Sequence, residues 1–329
     1  MHVWHDLGQV PQTFRGAAVT IGMFDGVHTG HRVVLSHLVS AAQRHRVPAI
    51  VVTFDPHPLT VHRPVAAPDM LTGFQDRMDL LSETGVDGVL VLPYTKEFAS
   101  QTPREFVSRY FVQGLETKIV VAGEDIRFGK DNTGDVNTLN TLGEEFGFDT
   151  VIVGDHPVDG TSRRASSTWV RQLLAAGDAR SAARILGRPH RMRGEVVHGQ
   201  ARGRDLGFPT ANLSQQATGI IPADGIYAGW LHVPGSLHPT RMPAAVSVGA
   251  NETFDEVTRV VEAHVLGRTD LDLYGKSVIV EFVQQLRPML KFDTVEELID
   301  QMNHDVDHAA DILGVPRPTN RIGWQHPNP

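Results

Sequence analysis

Residues 17–31 read Ala17-Ala18-Val19-Thr20-Ile21-Gly22-Met23-Phe24-Asp25-Gly26-Val27-His28-Thr29-Gly30-His31. A short apolar run, read as a buried strand, stops at a glycine-rich turn, and a helical pattern follows. Three glycines within nine residues let the backbone approach a ligand closely. The free N–H groups at the start of the helix make an anion site. His28 and His31 are three positions apart and so share one face of the first turn. Such a pair can donate hydrogen bonds to a phosphate whose charge grows during displacement. The alternative is a glycine-rich turn with two surface histidines; the strand–loop–helix setting favours the phosphate reading.

The same texture repeats outward from this stretch. Apolar runs at 49–54, 88–92, 118–123 and 150–154 read as further strands. Between the first two, Val34, Leu38, Ala41 and Ala42, with His45, form one helical stripe. Alternating strands and helices predict a doubly wound parallel sheet covered on both faces, with ligands at the carboxyl ends of its strands. Phe54-Asp55-Pro56-His57-Pro58 ends the second strand at that edge. Arg163-Arg164-Ala165-Ser166-Ser167-Thr168-Trp169-Val170-Arg171 leads into a helix. There Ser166 or Ser167 is an N-cap candidate, and the hydroxyls and arginines equally make a polyphosphate clamp.

From about Gly187 the pattern changes. Runs at 191–197, 225–233, 243–248, 258–266 and 277–283 are separated by turn residues, which predicts an antiparallel barrel or sandwich. Thr294 and Glu297 make a capping box for a closing helix. Val295, Leu298, Met302, Val306, Ala309 and Leu313 carry its stripe. The last fourteen residues, 316–329, read as a loose tail. The expected domains are 1–186 and 187–329.

This second part opens with glycines at 194, 199, 203 and 207, a loop able to wrap phosphates. Pro209-Thr210-Ala211-Asn212 follows; in an extended segment Thr210 and Asn212 face the same side. Their oxygens suit Mg²⁺, although an ordinary turn with a capped segment explains the composition too. In 260–266, Val261, Ala263 and Val265 alternate toward a core, and Glu262 and His264 point away. Glu262 is either a solvated surface carboxylate or a general base under a hydroxyl substrate.

The set GMFDGVHTGH, FDPHP, GEDIRFG (123–129) and SSTWVR (166–171) resembles the adenylyltransferase module of bacterial bifunctional riboflavin kinase/FAD synthetases, an HxGH-type nucleotidyltransferase. The resemblance implies ATP + FMN → FAD + pyrophosphate. It implies an ATP site at Gly22, Phe24, Asp25, Gly26, His28 and His31. Arg164, Ser167, Thr168 and Arg171 would hold the phosphates that leave, and Phe54, Asp125 and Phe128 would line the flavin side. Two departures from the family pattern are Ala165, where a larger hydrophobic residue is common, and His62, where an aromatic is common.

RGRDLGFPTANL, PADGIYAGW, SVGANETF, VEAHVL, DLYG and LRPMLKF resemble the riboflavin kinase module of the same enzymes. This implies riboflavin + ATP → FMN + ADP on a six-stranded Greek-key barrel. Gly199, Gly203, Arg204, Gly207, Thr210 and Asn212 would hold nucleotide phosphates, with Thr210 and Asn212 on Mg²⁺. Glu262 would take the proton of the ribityl 5′-hydroxyl, and Arg287 would help cover the flavin. Glu252 and Met289 replace a Pro and a Glu frequent in the family.

Composition bounds these readings. The chain has 329 residues, a length suggesting roughly two domains, and 41% hydrophobic residues, typical of a globular chain. It has no cysteine, which excludes a disulfide scaffold, thiolate metal sites and a cysteine nucleophile. No apolar run exceeds four residues, so no transmembrane helix is expected. The start lacks the pattern of a secretory signal, and a cytoplasmic protein is expected. The net charge of −8 argues against a general nucleic-acid or membrane binder. That average hides residues 160–204, where ten arginines face only Asp178 and Glu195. The local balance of +8 leaves −16 for the rest. The only aromatic there for stacking on bases is Trp169, so the arginines are assigned to ATP phosphates. A single retained activity, or a non-catalytic flavin sensor, are the competing expectations.

Overall fold

The computed structural model describes residues 1–155, 157–158, 160–199, 208–235, 241–253, 256–319. Gly203, Arg204 and Gly207 lie outside the described residues, as do Phe254 of the SVGANETF motif and positions 320–329 of the expected tail. By contacts the chain divides into two compact units, Met1–Asp69 with Phe74–Ser166, and Met70–Gly73 with Ser167–Pro329.

The first unit carries β1 (His2–Trp4), β2 (Ala18–Ile21), α1 (Thr29–His45), β3 (Ala49–Asp55), α2 (Pro58–His62), α3 (Phe74–Ser82), β4 (Gly88–Pro93), α4 (Lys96–Ala99), α5 (Pro103–Phe106), a π-helix (Val107–Gly114), β5 (Ile119–Gly123), α6 (Val136–Phe146) and β6 (Asp149–Val153). The sheet order is β1-β4-β3-β2-β5-β6 and every pairing is parallel. All five expected strands are present. β1 was missed, because three residues are too few to show a period; its Trp4 ring lies over Gly88, where a Cβ would come within 2.3 Å.

Both faces of the sheet are buried, and the residues alternate strictly. Val19, Ile50, Val52, Leu90, Leu92, Val120 and Ala122 enter one core; Ala18, Ala49, Val51, Val89, Val91, Ile119 and Val121 enter the other. The helix α1 buries Leu35, Leu38, Ala41 and Ala42. Leu38, Ala41 and Ala42 are buried as expected, Val34 is partly buried against the same core, His45 is exposed, and Leu35 joins the stripe. His45 instead sits in the exposed last turn.

Chain order runs from β2 to β3 and β4 on one side, and to β5 and β6 on the other. The switch point therefore lies between the ends of β2 and β5, where open α/β sheets bind ligands. The loops that leave this point are Gly22–His28 and the one after Gly123.

The second unit carries α7 (Ser167–Ala175), α8 (Ala179–Leu186), β7 (His190–Val197), β8 (Ala211–Leu213), β9 (Gly225–His232), β10 (Met242–Thr253), β11 (Glu256–Val265), β12 (Ser277–Arg287) and α9 (Val295–Leu313). Its strands close a barrel in the order β10-β11-β8-β7-β12-β9, with β9 pairing back to β10. Barrel, not sandwich, is the outcome. Strands β9, β10 and β11 form a meander and β8 returns beside β11, a Greek key. Inward-facing Val246, Val248, Val261, Ala263, Val265, Val278, Val280 and Phe282 fill it. The unanticipated strand is β8, three residues inside the Pro-Thr-Ala-Asn segment.

The start of α9 is half a capping box. Thr294 accepts from the Glu297 N–H at 3.2 Å, but the Glu297 carboxylate takes the N–H of Asp293 instead of that of Thr294. Val295, expected in the stripe, is 39% exposed, and burial begins at Ile299. The first helical turn lies ahead of the covered surface.

Candidate active sites

The N-terminal site grows from the end of β2. His28 is the N-cap of α1 and its Nδ1 accepts from the His31 N–H at 3.2 Å. Accepting at Nδ1 leaves Nε2 as the ring donor. The His28 and His31 rings stack with centroids 3.6 Å apart and planes inclined by 15°. Burial first, and the neighbouring His28 second, hold His31 well below the ordinary histidine value. A neutral His31 still offers one N–H to an anion. Its Nδ1 is buried with no hydrogen-bond partner among the described residues. Gly30 makes room for this pair, since a Cβ there would lie 3.3 Å from the His28 ring.

Phe24 and Asp25 are buried, 3% and 2% exposed, so their side chains belong to the frame of the loop. The Phe24 ring meets His31 edge-on at 5.1 Å. Backbone torsions through the loop are left-handed at Phe24 (φ 51°), Gly26 (φ 80°) and Val27 (φ 38°).

Beside Gly22 lies a cavity of about 160 Å³ walled by Phe54, Tyr94, Phe98, Phe106, Arg127 and Phe128. Phe54 packs edge-on against Tyr94 at 5.5 Å and Phe98 at 5.4 Å. An aromatic slot of this kind suits a flat ring system. Phe54 and Phe128 are thus together, as expected. Asp125 is not with them: it pairs with Arg164 at 2.9 Å, and Arg164 also reaches Asp155 at 3.4 Å. Two carboxylates engage the guanidinium assigned to phosphate, and a phosphate would have to displace them. Tyr94 and Phe98 lie outside the sequence motifs, and Arg127 is carried by GEDIRFG without a role assigned there. Tyr94 had one available signal, since it follows β4 at the same sheet edge as Phe54. His62, the departure from the family pattern, meets the Tyr94 hydroxyl at 2.9 Å. The helix α7 begins at Ser167, so Ser166 occupies the cap position. Ser167, Thr168 and Arg171 belong to the second unit, with Thr168 exposed and the other two half-buried.

The barrel's site is built from β8 and β11. Their register sets Asn212 opposite Glu262 and Ala211 opposite Ala263. Thr210 donates its hydroxyl to Glu262 Oε2 at 3.2 Å, and Asn212 Nδ2 donates to Thr210 Oγ1 at 3.2 Å. The three residues proposed from sequence are therefore one cluster. Their donor set, a hydroxyl, an amide and a carboxylate, is the hard-oxygen chemistry that suits Mg²⁺. Thr210 and Asn212 face a cavity of about 390 Å³, with His198, Gly199, Asp272 and Tyr274 on other walls. His198 stacks on Tyr274 at 3.9 Å. A Cβ on Gly199 would fall 2.5 Å from Asn212 Oδ1, so any larger residue there must shift the amide or the loop.

His264 points away from the barrel interior, as expected, but is covered, 8% exposed. Its Nδ1 lies 3.0 Å from Pro209 O and its ring meets Phe208 edge-on, which ties down the backbone before Thr210. Arg287 does not line the cavity. Its guanidinium is held two-pronged by Asp305 of α9, at 3.0 and 2.7 Å, and Gln301 donates to the same carboxylate at 2.9 Å. Asp305 is 5% exposed. Among the described residues no group of three or more His, Asp or Glu could hold a metal, and no helix is long and apolar enough to cross a membrane.

Known proteins resemble both units. The FAD synthetase family matches residues 10–169, and the riboflavin kinase family matches residues 186–313. A bifunctional riboflavin kinase/FMN adenylyltransferase of Escherichia coli is 35% identical over 314 residues, 95% of this chain and 97% of its own. Proteins of the same description from Pseudomonas fluorescens and Listeria monocytogenes are 37% and 33% identical, over 92% of this chain and 94% and 91% of their own. A crystal structure described as a macrolide-efflux protein from Streptococcus pneumoniae has a TM-score of 0.80 and 31% identity, covering 92% of this chain and 96% of its own. With both family matches in the same order and relatives 33–37% identical over more than nine-tenths of the chain, this chain belongs to the bifunctional riboflavin kinase/FMN adenylyltransferase family.

Proposed function

We propose that the chain makes FAD in two steps. Riboflavin is phosphorylated by ATP in the module of residues 187–329, and the resulting FMN is adenylylated by a second ATP in the module of residues 1–186. The observation that carries the kinase step is the hydrogen bond to Glu262 from Thr210, a residue of the cavity lining. Glu262 takes the proton of the ribityl 5′-hydroxyl while that oxygen attacks the γ-phosphorus, and ADP leaves. Thr210 and Asn212 would hold Mg²⁺. When bound, the ion neutralises charge on the phosphate being transferred.

In the adenylyl step an FMN phosphate oxygen attacks the α-phosphorus of ATP and pyrophosphate leaves. His28 and His31, at the start of α1, donate to the phosphate as its charge grows. Phe54 and Phe128 line the flavin side. Asp125 orients Arg164 before the phosphates arrive. Arg164, Ser167, Thr168 and Arg171 bind the leaving phosphates, a role assigned by resemblance. Gly203, Arg204 and Gly207 are assigned to the kinase's phosphate loop on the same basis. Arg287 is assigned to the flavin cover.

Chromatographic product analysis tests this. Purified protein with riboflavin, Mg²⁺ and ATP yields FMN and then FAD. FMN without FAD would leave the kinase alone, a reading that the His62 and Ala165 departures favour over the loss of the kinase. Neither product would overturn the proposal.

A further inference from the structure

The guanidinium of Arg77, on α3, is 1% exposed and joins two loops of the N-terminal site. Nη1 donates to Met23 O at 3.2 Å and Nη2 donates to Phe54 O at 3.1 Å. Asp55 Oδ1 stands 3.9 Å from Nη2, and buried Asp25 adds negative potential. A buried charge without compensation is expensive, and here it is spent on two backbone carbonyls. Met23 O also accepts the hydroxyl of Thr53, itself fully buried, at 3.3 Å.

The carbonyl so gripped immediately precedes the left-handed stretch at Phe24 and Val27. Side chains other than glycine rarely adopt this conformation, a β-branched one least of all. It persists only where the surroundings over-determine it. The other carbonyl belongs to the residue whose ring walls the aromatic cavity.

We infer that Arg77 is a positioning residue for adenylyl transfer: it sets the spacing between the loop that delivers His28 and His31 and the strand end that delivers Phe54. The inference rests on the reading of this unit as an FMN adenylyltransferase. Such a spacer acts on the alignment of the reacting phosphates, where about 1 Å of misplacement costs about 10²-fold. A lysine presents its donors from a single point and lacks the fixed fork with which arginine holds both carbonyls.

The test uses the full chain and the variants Arg77→Lys and Arg77→Ala. It measures kcat and KM for FAD formation from FMN, FMN formation from riboflavin, and thermal melting. Arg77→Lys is expected to melt like wild type, to lose about 10-fold or more in FAD kcat, and to keep its KM values and its kinase rate within about twofold. Added guanidinium ion is expected to restore part of the FAD rate of Arg77→Ala, which a folding defect would not allow. Wild-type FAD kcat in Arg77→Lys, or a loss that only tracks unfolded protein and resists guanidinium, overturns the inference. A wild-type chain that forms no FAD overturns the functional reading and the inference together, so the two failures are distinguishable.

Discussion

Thr210 and Glu262, 52 positions apart in the chain, meet at 3.2 Å because β8 pairs with β11. The hydroxyl that would hold a phosphate-bound cation and the carboxylate that would take the substrate's proton are one hydrogen-bonded pair. Replacing Glu262 by Ala is expected to lower FMN formation by about 10²–10⁴-fold and to leave FAD formation from supplied FMN unchanged. Separate assays of the two products decide it; a parallel loss of both rates would refute two independent sites.

His28 has two roles that a single alanine would confuse. It caps α1 through Nδ1, a contribution of about 1 kcal/mol, and in the proposed mechanism its Nε2 donates to the phosphate. Asparagine is an equally good cap without the imidazole. The variant His28→Asn is expected to melt like wild type and to lose about 10²-fold in FAD formation, with riboflavin phosphorylation intact. Full FAD synthesis by this variant would reduce His28 to a cap.

Gly199 lies in close approach to the Asn212 side chain. A methyl group 2.5 Å from Asn212 Oδ1 must displace the amide or the loop. Gly199→Ala is expected to reduce kinase kcat/KM by about 10–10²-fold, and in the double variant with Asn212→Ser, which removes the crowded amide, the two losses are expected to be less than additive. Steady-state kinetics of the three variants form a cycle, and simple additivity of the two losses would contradict the contact.

Asp305 holds Arg287 in a largely buried, two-pronged pair. Removing one partner leaves a buried charge uncompensated, a cost of about 3–5 kcal/mol. Asp305→Ala is therefore expected to shift the denaturant midpoint of the barrel unit strongly, and a shift worth less than about 1 kcal/mol would show the pair to be solvent-screened.

His190 is buried in β7, with Nε2 at 2.7 Å from Ile220 O, and burial lowers it to about 4. In the unfolded chain it titrates near 6.5. Between these values the unfolded state binds more protons, so stability falls as pH falls through that window. The slope from this one residue approaches about 1.4 kcal/mol per pH unit. Denaturant melts at pH 7 and pH 5 are expected to differ by about 2 kcal/mol more for wild type than for His190→Gln. Equal pH slopes in the two proteins would show that His190 does not carry this term.

Much of the architecture was legible because it is written in local periods. Strands β2 to β6 announce themselves as apolar runs, and Val261, Ala263 and Val265 declare one face by alternation. His28 with His31, and Thr210 with Asn212, were legible because their partners lie within three residues. Where a feature depended on phase or on a few residues the reading slipped. In α1, Leu38, Ala41 and Ala42 are buried as expected, but Leu35, not Val34, is the fully buried first member of the stripe. The three-residue strands β1 and β8 were too short to carry a pattern.

The sequence by itself determined two unlike modules, their order and the residue types at each site, since strand and helix periods and short motifs are encoded locally. Only the tertiary structure decided which distant groups those residues answer to: Arg77 on Met23 and Phe54, Asp125 on Arg164, Asp305 on Arg287, His264 on Pro209. Each of these joins segments far apart in the chain. A buried cation or imidazole chooses its partner by which carbonyl or carboxylate the packing leaves within reach. No local pattern encodes that choice, because it exists only once the sheet and barrel have closed.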